Sequence, residues 1–240
     1  MPSVLAAVLT VSLALVWTSA RATAAASTAS AAVVGRTQEL ALLLAPHAAL
    51  SAPDDHAVTL QLVSARRPIT SERTALPVIG HKTDADGAKW LDVRLPGRPN
   101  GHTGWIHARA TTAAVTSWHI IIDTAKRRVT VYRNGRPVRA FEAIVGRPST
   151  PTPLGTFFIE EVIKLRPSDV GAPFALALSA RSNVLQEFAG GPGQIAVHGL
   201  ANISGVLGSA VSHGCIRLDN AAMRWLVTRA GPGVPVTITS

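Results

Sequence analysis

Between His198 and Arg217 the chain places two His-Gly pairs, its only cysteine and an arginine. The stretch reads Ile195-Ala-Val-His-Gly199, a Gly/Ser-rich loop, then Ser212-His-Gly-Cys-Ile-Arg217. A thiol must lose its proton to become a nucleophile, and an ordinary cysteine is mostly protonated near neutrality. An imidazole beside it can take that proton and return it to a leaving amine. His198 ends an alternating apolar run, so a strand would fix its ring. Gly199 and Gly214 permit close backbone approach and unusual dihedrals. Amide groups of the Gly214-Cys215 turn, with the charge of Arg217, would face a developing oxyanion. Singly, a cysteine reads as a small buried hydrophobe and a histidine as a satisfied polar residue. Their joint occurrence favours covalent catalysis. His198, His213 and Cys215 are also legitimate zinc ligands, but no fourth ligand and no short-spaced ligand pair accompanies them.

The compartment is read at the other end. Val4 to Trp17 is apolar and uncharged, followed by small residues to Ala26. That run is shorter than the roughly 20 residues a membrane span needs, but it suits the core of a signal peptide over 1–26. Only the amino terminus is positive ahead of it. The expectation is export to the cell envelope, with the segment either cleaved or kept as an anchor. A lone thiol in an oxidising compartment is a liability unless it does chemistry or pairs between molecules. With 240 residues, 47% hydrophobic and 15% charged, the chain supports one or two domains rather than a disordered tail. The formal charge of +9 suits anionic envelope polymers as partners, and export argues against nucleic acid. The chain is expected to be monomeric.

The elements that must hold this chemistry are mostly strands. Residues 27–50 read as a linker, with Gln38 to Leu44 as a short helix inside it. From 51 to 115, short alternating runs at His56–Val63, Trp90–Leu95 and Gly104–His107 are separated by turn chemistry. Pro77–Gly80 reads as a bend, and the whole as a small barrel or sandwich. From Trp118 onward, His119–Asp123 and Arg128–Arg133 read as strands. Asn134-Gly135 marks a type I′ hairpin, because both central residues need positive φ. Val138–Val145, Gly155–Val162, Gln194–His198 and Val234–Ile238 follow as strands. Asn220 to Ala230 has helical spacing at Met223, Leu226 and Val227.

Two resemblances sharpen this reading. Trp90 to Ile106 (WLDVRLPGRPNGHTGWI) resembles the last strands of bacterial SH3-like modules, which implies such a module over 51–115. Residues 117–240 resemble the L,D-transpeptidase catalytic domain. The opening hairpin, Gly146 with Pro151–Gly155, Gly190–Gly199 and Ser212-His-Gly-Cys-Ile-Arg-Leu218 carry the likeness. It implies a mainly β protein: a small SH3-like barrel, then a β-rich sandwich-like catalytic domain with one or two short helices. It also implies Cys215 as nucleophile, His198 as general base and acid, and the Gly199 carbonyl as the group orienting the imidazole. His213 and Gly214 would complete the catalytic set, Arg217, Ser212 and Asn220 would bind substrate, and Ser212 and Gly214 would also shape the turn. The implied reaction joins peptidoglycan stem peptides, a donor tetrapeptide and an amine acceptor, through a thioester, with no metal or cofactor. Carbapenems would acylate the same sulfur. Hydrolysis of the thioester by water, as an L,D-carboxypeptidase, is the alternative, and an inert wall-binding protein is a third. The chain departs from the family pattern at Leu200 and at Asn220-Ala-Ala222, where an aspartate is often found.

Overall fold

Alternation of apolar and polar residues organises the computed structural model, which describes residues 34–240 apart from Ala189. The expected signal segment and the first residues of the linker lie outside the described residues. Those described belong to one compact unit.

The first sheet is built from β1 (Gln38–Leu43), β2 (His47–Leu50), β3 (Thr59–Val63), β4 (Ala75–Thr83), β5 (Lys89–Arg94), β6 (Thr103–His107) and β7 (Thr111–Thr116). Its order is β3-β2-β6-β5-β4-β1-β7, with every pair antiparallel. Two expectations change here. Gln38–Leu44, read as a helix within a linker, is a strand paired on both sides, to β4 and to β7. Leu40, Ala41 and Leu43 are buried, and a strand covered on both faces loses the alternation that identifies it in sequence. Strands therefore begin at Gln38, and a boundary at Ser51 would cut β1 and β2 from the sheet they complete. Pro77–Gly80, read as a bend, lies inside β4, and the register shift between Val78 and Gly80 absorbs the irregularity.

The second sheet carries the chemistry. Its strands follow as β8 (Trp118–Asp123), β9 (Arg128–Arg133), β10 (Arg136–Glu142), β11 (Val145–Gly146), β12 (Gly155–Lys164), β13 (Phe174–Arg181), β14 (Gln194–His198), β15 (Ala210–Ser212), β16 (Ile216–Arg217) and β17 (Pro235–Thr239). Eight of these form one sheet, β10-β9-β8-β17-β12-β13-β14-β16, while β11 and β15 make a separate parallel pair. Asn134 and Gly135 have φ of 52° and 75°, as the expected hairpin requires. β13, Phe-Ala-Leu-Ala-Leu-Ser-Ala-Arg, was not foreseen. Its consecutive buried residues again hide the period of two.

Helix α1 (Asn220–Val227) follows β16 directly. Asp219 caps it, its carboxylate accepting from the Ala222 N–H at 2.8 Å. Met223 and Leu226 are fully buried in the core formed with Ile120, Ile122, Val197 and Ile216, worth about 2 kcal/mol each. The two sheets share packing as well: Phe158 of β12 sits in the core of the first sheet beside Leu76 and Ile106. The fold is mainly β, with a single α-helix among the described residues.

Candidate active site

Alternation across one parallel strand pair brings the reactive residues together. β14 and β16 pair with Val197 opposite Ile216 and His198 opposite Arg217. Val197 and Ile216 point into the core. Successive residues of a strand point to opposite faces, so His198 and Arg217 share the other face. Cys215, one position before Ile216, joins them there. Strand spacing of about 4.8 Å and a rise of about 3.3 Å per residue put the Cys215 and His198 Cα atoms about 8 Å apart.

The imidazole is held from two sides. His198 Nδ1 lies 2.9 Å from the Gly199 carbonyl oxygen, so this nitrogen carries the proton and donates. Nε2 is left as the basic nitrogen. Gly171, at φ 82°, lies against the ring: a Cβ there would stand 2.5 Å from Nδ1. Sequence reasoning missed Gly171, for which the only signal was a glycine ahead of Ala-Pro. Gly199 is equally constrained, since a Cβ would overlap the Ala172 carbonyl and lie 2.7 Å from Asn220 Oδ1.

Buried hydroxyls build the turn that carries the cysteine. Ser212 Oγ donates to the Cys215 carbonyl at 2.6 Å and accepts from the Gly214 N–H at 3.1 Å. Thr152 Oγ1 accepts from the Gly146 N–H and donates to the Gly214 carbonyl, each at 2.9 Å. Thr150 Oγ1 donates to the Ser212 carbonyl at 3.2 Å. Both threonines were overlooked as site residues because nothing in Thr-Pro-Thr-Pro says which backbone groups they meet.

Three expectations are narrowed accordingly. Ser212, expected at the substrate as well as in the turn, has no exposed surface and spends its hydroxyl inside the turn. The Gly214 N–H, expected in an oxyanion hole, is already bonded to Ser212, so of its two expected roles Gly214 keeps the shaping of the turn. Asn220, also expected at the substrate, accepts from the Leu200 N–H at 2.9 Å and ties helix α1 to the residues after His198. His213 and Arg217 stay beside the sulfur. His213 is exposed, lines a small cavity with Cys215, and stacks on Phe188 with ring centroids 5.4 Å apart. Arg217 is 7% exposed, gives Nη1 to the Ser204 carbonyl at 2.7 Å, and keeps a buried Nε without a partner.

Electrostatics set the resting protonation state. Burial pushes the Cys215 thiol above its ordinary value, while the Ala196 backbone amide and Arg217 pull the other way. Burial pushes the His198 imidazole below its ordinary value, opposed by the Gly199 carbonyl and aided by Arg217. Burial disfavours the charged form of each group, so across the interval between these two values the pair rests as thiol and neutral imidazole. Alkylation of Cys215 by iodoacetamide is therefore expected to climb with pH to half its maximum above the usual thiol range, without an acid-side shoulder. Substantial reaction below about pH 6 would mean a preformed thiolate–imidazolium pair and would contradict this electrostatic reading. Among the described residues no three histidine, cysteine, aspartate or glutamate side chains converge as metal ligands would.

Comparison with known proteins agrees on one family. The family model described as the L,D-transpeptidase catalytic domain, YkuD, matches residues 117–238. The chain is 28% identical over 149 residues to YkuD of Bacillus subtilis, covering 61% of this chain and 73% of that one. It is 32% identical over 123 residues to L,D-transpeptidase 1 of Mycobacterium tuberculosis, covering 45% of each, so it spans under half that relative's length. Among solved structures, L,D-transpeptidase 3 of Mycobacterium tuberculosis with a faropenem-derived adduct overlies 69% of this chain and 91% of its own, at 15% identity and a TM-score of 0.44.

Proposed function

The chain belongs to the YkuD family of L,D-transpeptidase catalytic domains, and we propose that it is a cysteine acyltransferase that joins peptidoglycan stem peptides in the cell envelope. The observation that carries the reading is the shared face of His198, Cys215 and Arg217, with Nδ1 of His198 committed to the Gly199 carbonyl and Nε2 free to act as base.

The reaction follows from that arrangement. Cys215 Sγ attacks the carbonyl carbon of the third residue of a donor tetrapeptide as His198 Nε2 takes the thiol proton. Because the resting pair is neutral, proton transfer accompanies attack, as in a serine–histidine pair. Among the described residues no acceptor engages the Cys215 N–H as Ser212 engages that of Gly214, and with the charge of Arg217 it would serve the tetrahedral oxyanion. The carbon–nitrogen bond then breaks, His198 returns its proton to the departing D-alanine amine, and a thioester remains. An amine of a second stem attacks this thioester, gives its surplus proton to His198, and the thiol is restored. No cofactor enters the balance. Carbapenems open on the same sulfur to give a stable adduct. Export rests on the apolar Val4–Trp17 run, and the surplus of basic residues suits an anionic envelope.

Incubation with disaccharide-tetrapeptide, followed by mass analysis of products and of intact protein, tests the reading. A cross-linked dimer with release of D-alanine is the expected result. Tripeptide alone would assign an L,D-carboxypeptidase, and absence of both product and acyl-enzyme would leave an inert wall-binding protein.

A further inference from the structure

The connection from β13 to β14 supplies one wall of the cavity at Cys215, yet it is gripped by the first sheet. Ser182, Leu185, Phe188 and Gly193 of that connection line the cavity together with His213 and Cys215. Across from it, the turn between β5 and β6 brings Arg98 and Asn100. Arg98 Nη1 donates to the Pro192 carbonyl at 3.0 Å, and Nη2 donates to the carbonyls of Ser182 at 2.8 Å and Leu185 at 3.2 Å. One planar guanidinium thus ties both ends of the connection to each other. Asn100 fixes its root. Its Nδ2 donates to the Arg181 carbonyl at 2.7 Å and to Asn183 Oδ1 at 2.9 Å, and its Oδ1 accepts from the Arg181 N–H at 2.8 Å. Among the described residues the hydrogen bonds of Arg98 all run to backbone carbonyls of this connection. At Gly193, with φ 63°, a Cβ would overlap the Leu185 carbonyl oxygen and stand 3.2 Å from Nη2.

We propose that Arg98 and Asn100 are positioning residues of the active site, through which the first sheet sets one wall of the small cavity at Cys215 and the access to its thiol. On the cavity side the connection meets the site through the stacking of Phe188 on His213. Val184 and Phe188 are largely exposed, and the Phe188–Gly191 bonds and the bonds to Ser182 Oγ are internal to it. Releasing it lets Leu185 and Phe188 move away from His213 and Cys215 without touching β14 or β16. The kinetic part of this inference rests on the acyl-transfer reading, whereas the accessibility part does not.

The chain's single cysteine makes access measurable. Wild type, Arg98→Ala, Arg98→Lys and Asn100→Ala are compared for alkylation of Cys215 by a bulky maleimide and by iodoacetamide, and for KM and kcat with disaccharide-tetrapeptide. Loss of several hydrogen bonds at a surface connection is expected to raise the bulky-to-small rate ratio about tenfold in Arg98→Ala. KM should rise about tenfold with kcat within about twofold, the signature of binding lost equally from ground and transition states. Lysine, a point charge without the fork, should behave as alanine does. Loss of general stability would instead lower kcat and the melting temperature and leave the ratio of the two alkylation rates unchanged. An unchanged ratio in both Arg98→Ala and Asn100→Ala overturns the proposal. If wild type itself shows no turnover, the acyl-transfer reading fails while the alkylation ratio still decides the role of Arg98.

Discussion

Replacing Cys215 with alanine is expected to lower cross-linking by about 10⁵-fold, and to abolish the carbapenem adduct, while the melting temperature stays within about 3 °C. The size follows from the chemistry. Without the sulfur no covalent route exists, and what remains is whatever the cavity and Arg217 do for direct aminolysis. His198→Ala should cost nearly as much, because a thiol held above its ordinary pKa by burial has no other way to lose its proton during attack. The double variant should be little worse than either single one, since the two side chains act as one unit. The turn itself survives these changes. Ser212 bonds the Cys215 carbonyl and not its side chain, and the Thr150 and Thr152 contacts are to the backbone. Product analysis and a thermal melt on the same samples check both halves. Turnover of Cys215→Ala within a hundredfold of wild type would remove the sulfur from the mechanism.

The pair proposed to react was readable in the sequence because its signal is local: a cysteine with no partner for a disulfide, and two His-Gly pairs at a strand end and a turn. The Gly199 carbonyl as the orienting group was implied by resemblance, and it lies at hydrogen-bond distance from Nδ1. What sits behind the pair was legible only in part. That Ser212 and Gly214 shape the turn was implied by the resemblance, but only the folded turn reveals that the hydroxyl of one is used up by the amide of the other. Gly171 and Thr152 act across gaps of tens of residues, through a backbone approach and a buried hydroxyl that no spacing rule encodes. The fold follows the same division. Half-buried strands such as β8 and β9 announce themselves by alternation, with Ile120, Ile122, Val129 and Val131 inward. Central strands β1 and β13 are covered on both faces, so their apolar runs read as helix or as nothing. The reach of the β5–β6 turn to the β13–β14 connection depends on side chains more than eighty positions away, a relation fixed by packing alone.

Glu160→Ala is expected to destabilise the protein by about 3–5 kcal/mol, seen as a fall of roughly 10 °C in melting temperature. Glu160 is 1% exposed on β12, where it pairs with Arg67 from the β3–β4 connection and accepts from Arg181 Nη1 at 2.9 Å. Gln194 Nε2 also donates to it, at 3.2 Å, from the strand that ends in His198. Glu161, equally buried, accepts from the Thr70 N–H and hydroxyl and is the favourable charge beside Arg67. Two carboxylates and two guanidiniums thus balance inside the protein. Burial still tells on the cations: it lowers Arg67 and pushes Arg181 down to about 10. Removing Glu160 leaves one buried positive charge uncompensated, and desolvation is no longer offset by attraction. The Coulomb gain of the intact group does not make it strongly stabilising in itself, because each ion lost its water on burial. A replacement of Glu160 and Arg181 together by apolar residues of similar volume, which leaves Arg67 facing Glu161, should therefore be more stable than Glu160→Ala alone. Thermal melts of the single and double variants decide the matter. A Glu160→Ala melting temperature within about 2 °C of wild type, or a double variant that loses as much as the single changes summed, would show that solvent reaches these charges and that the balance is not what holds β12 to the first sheet.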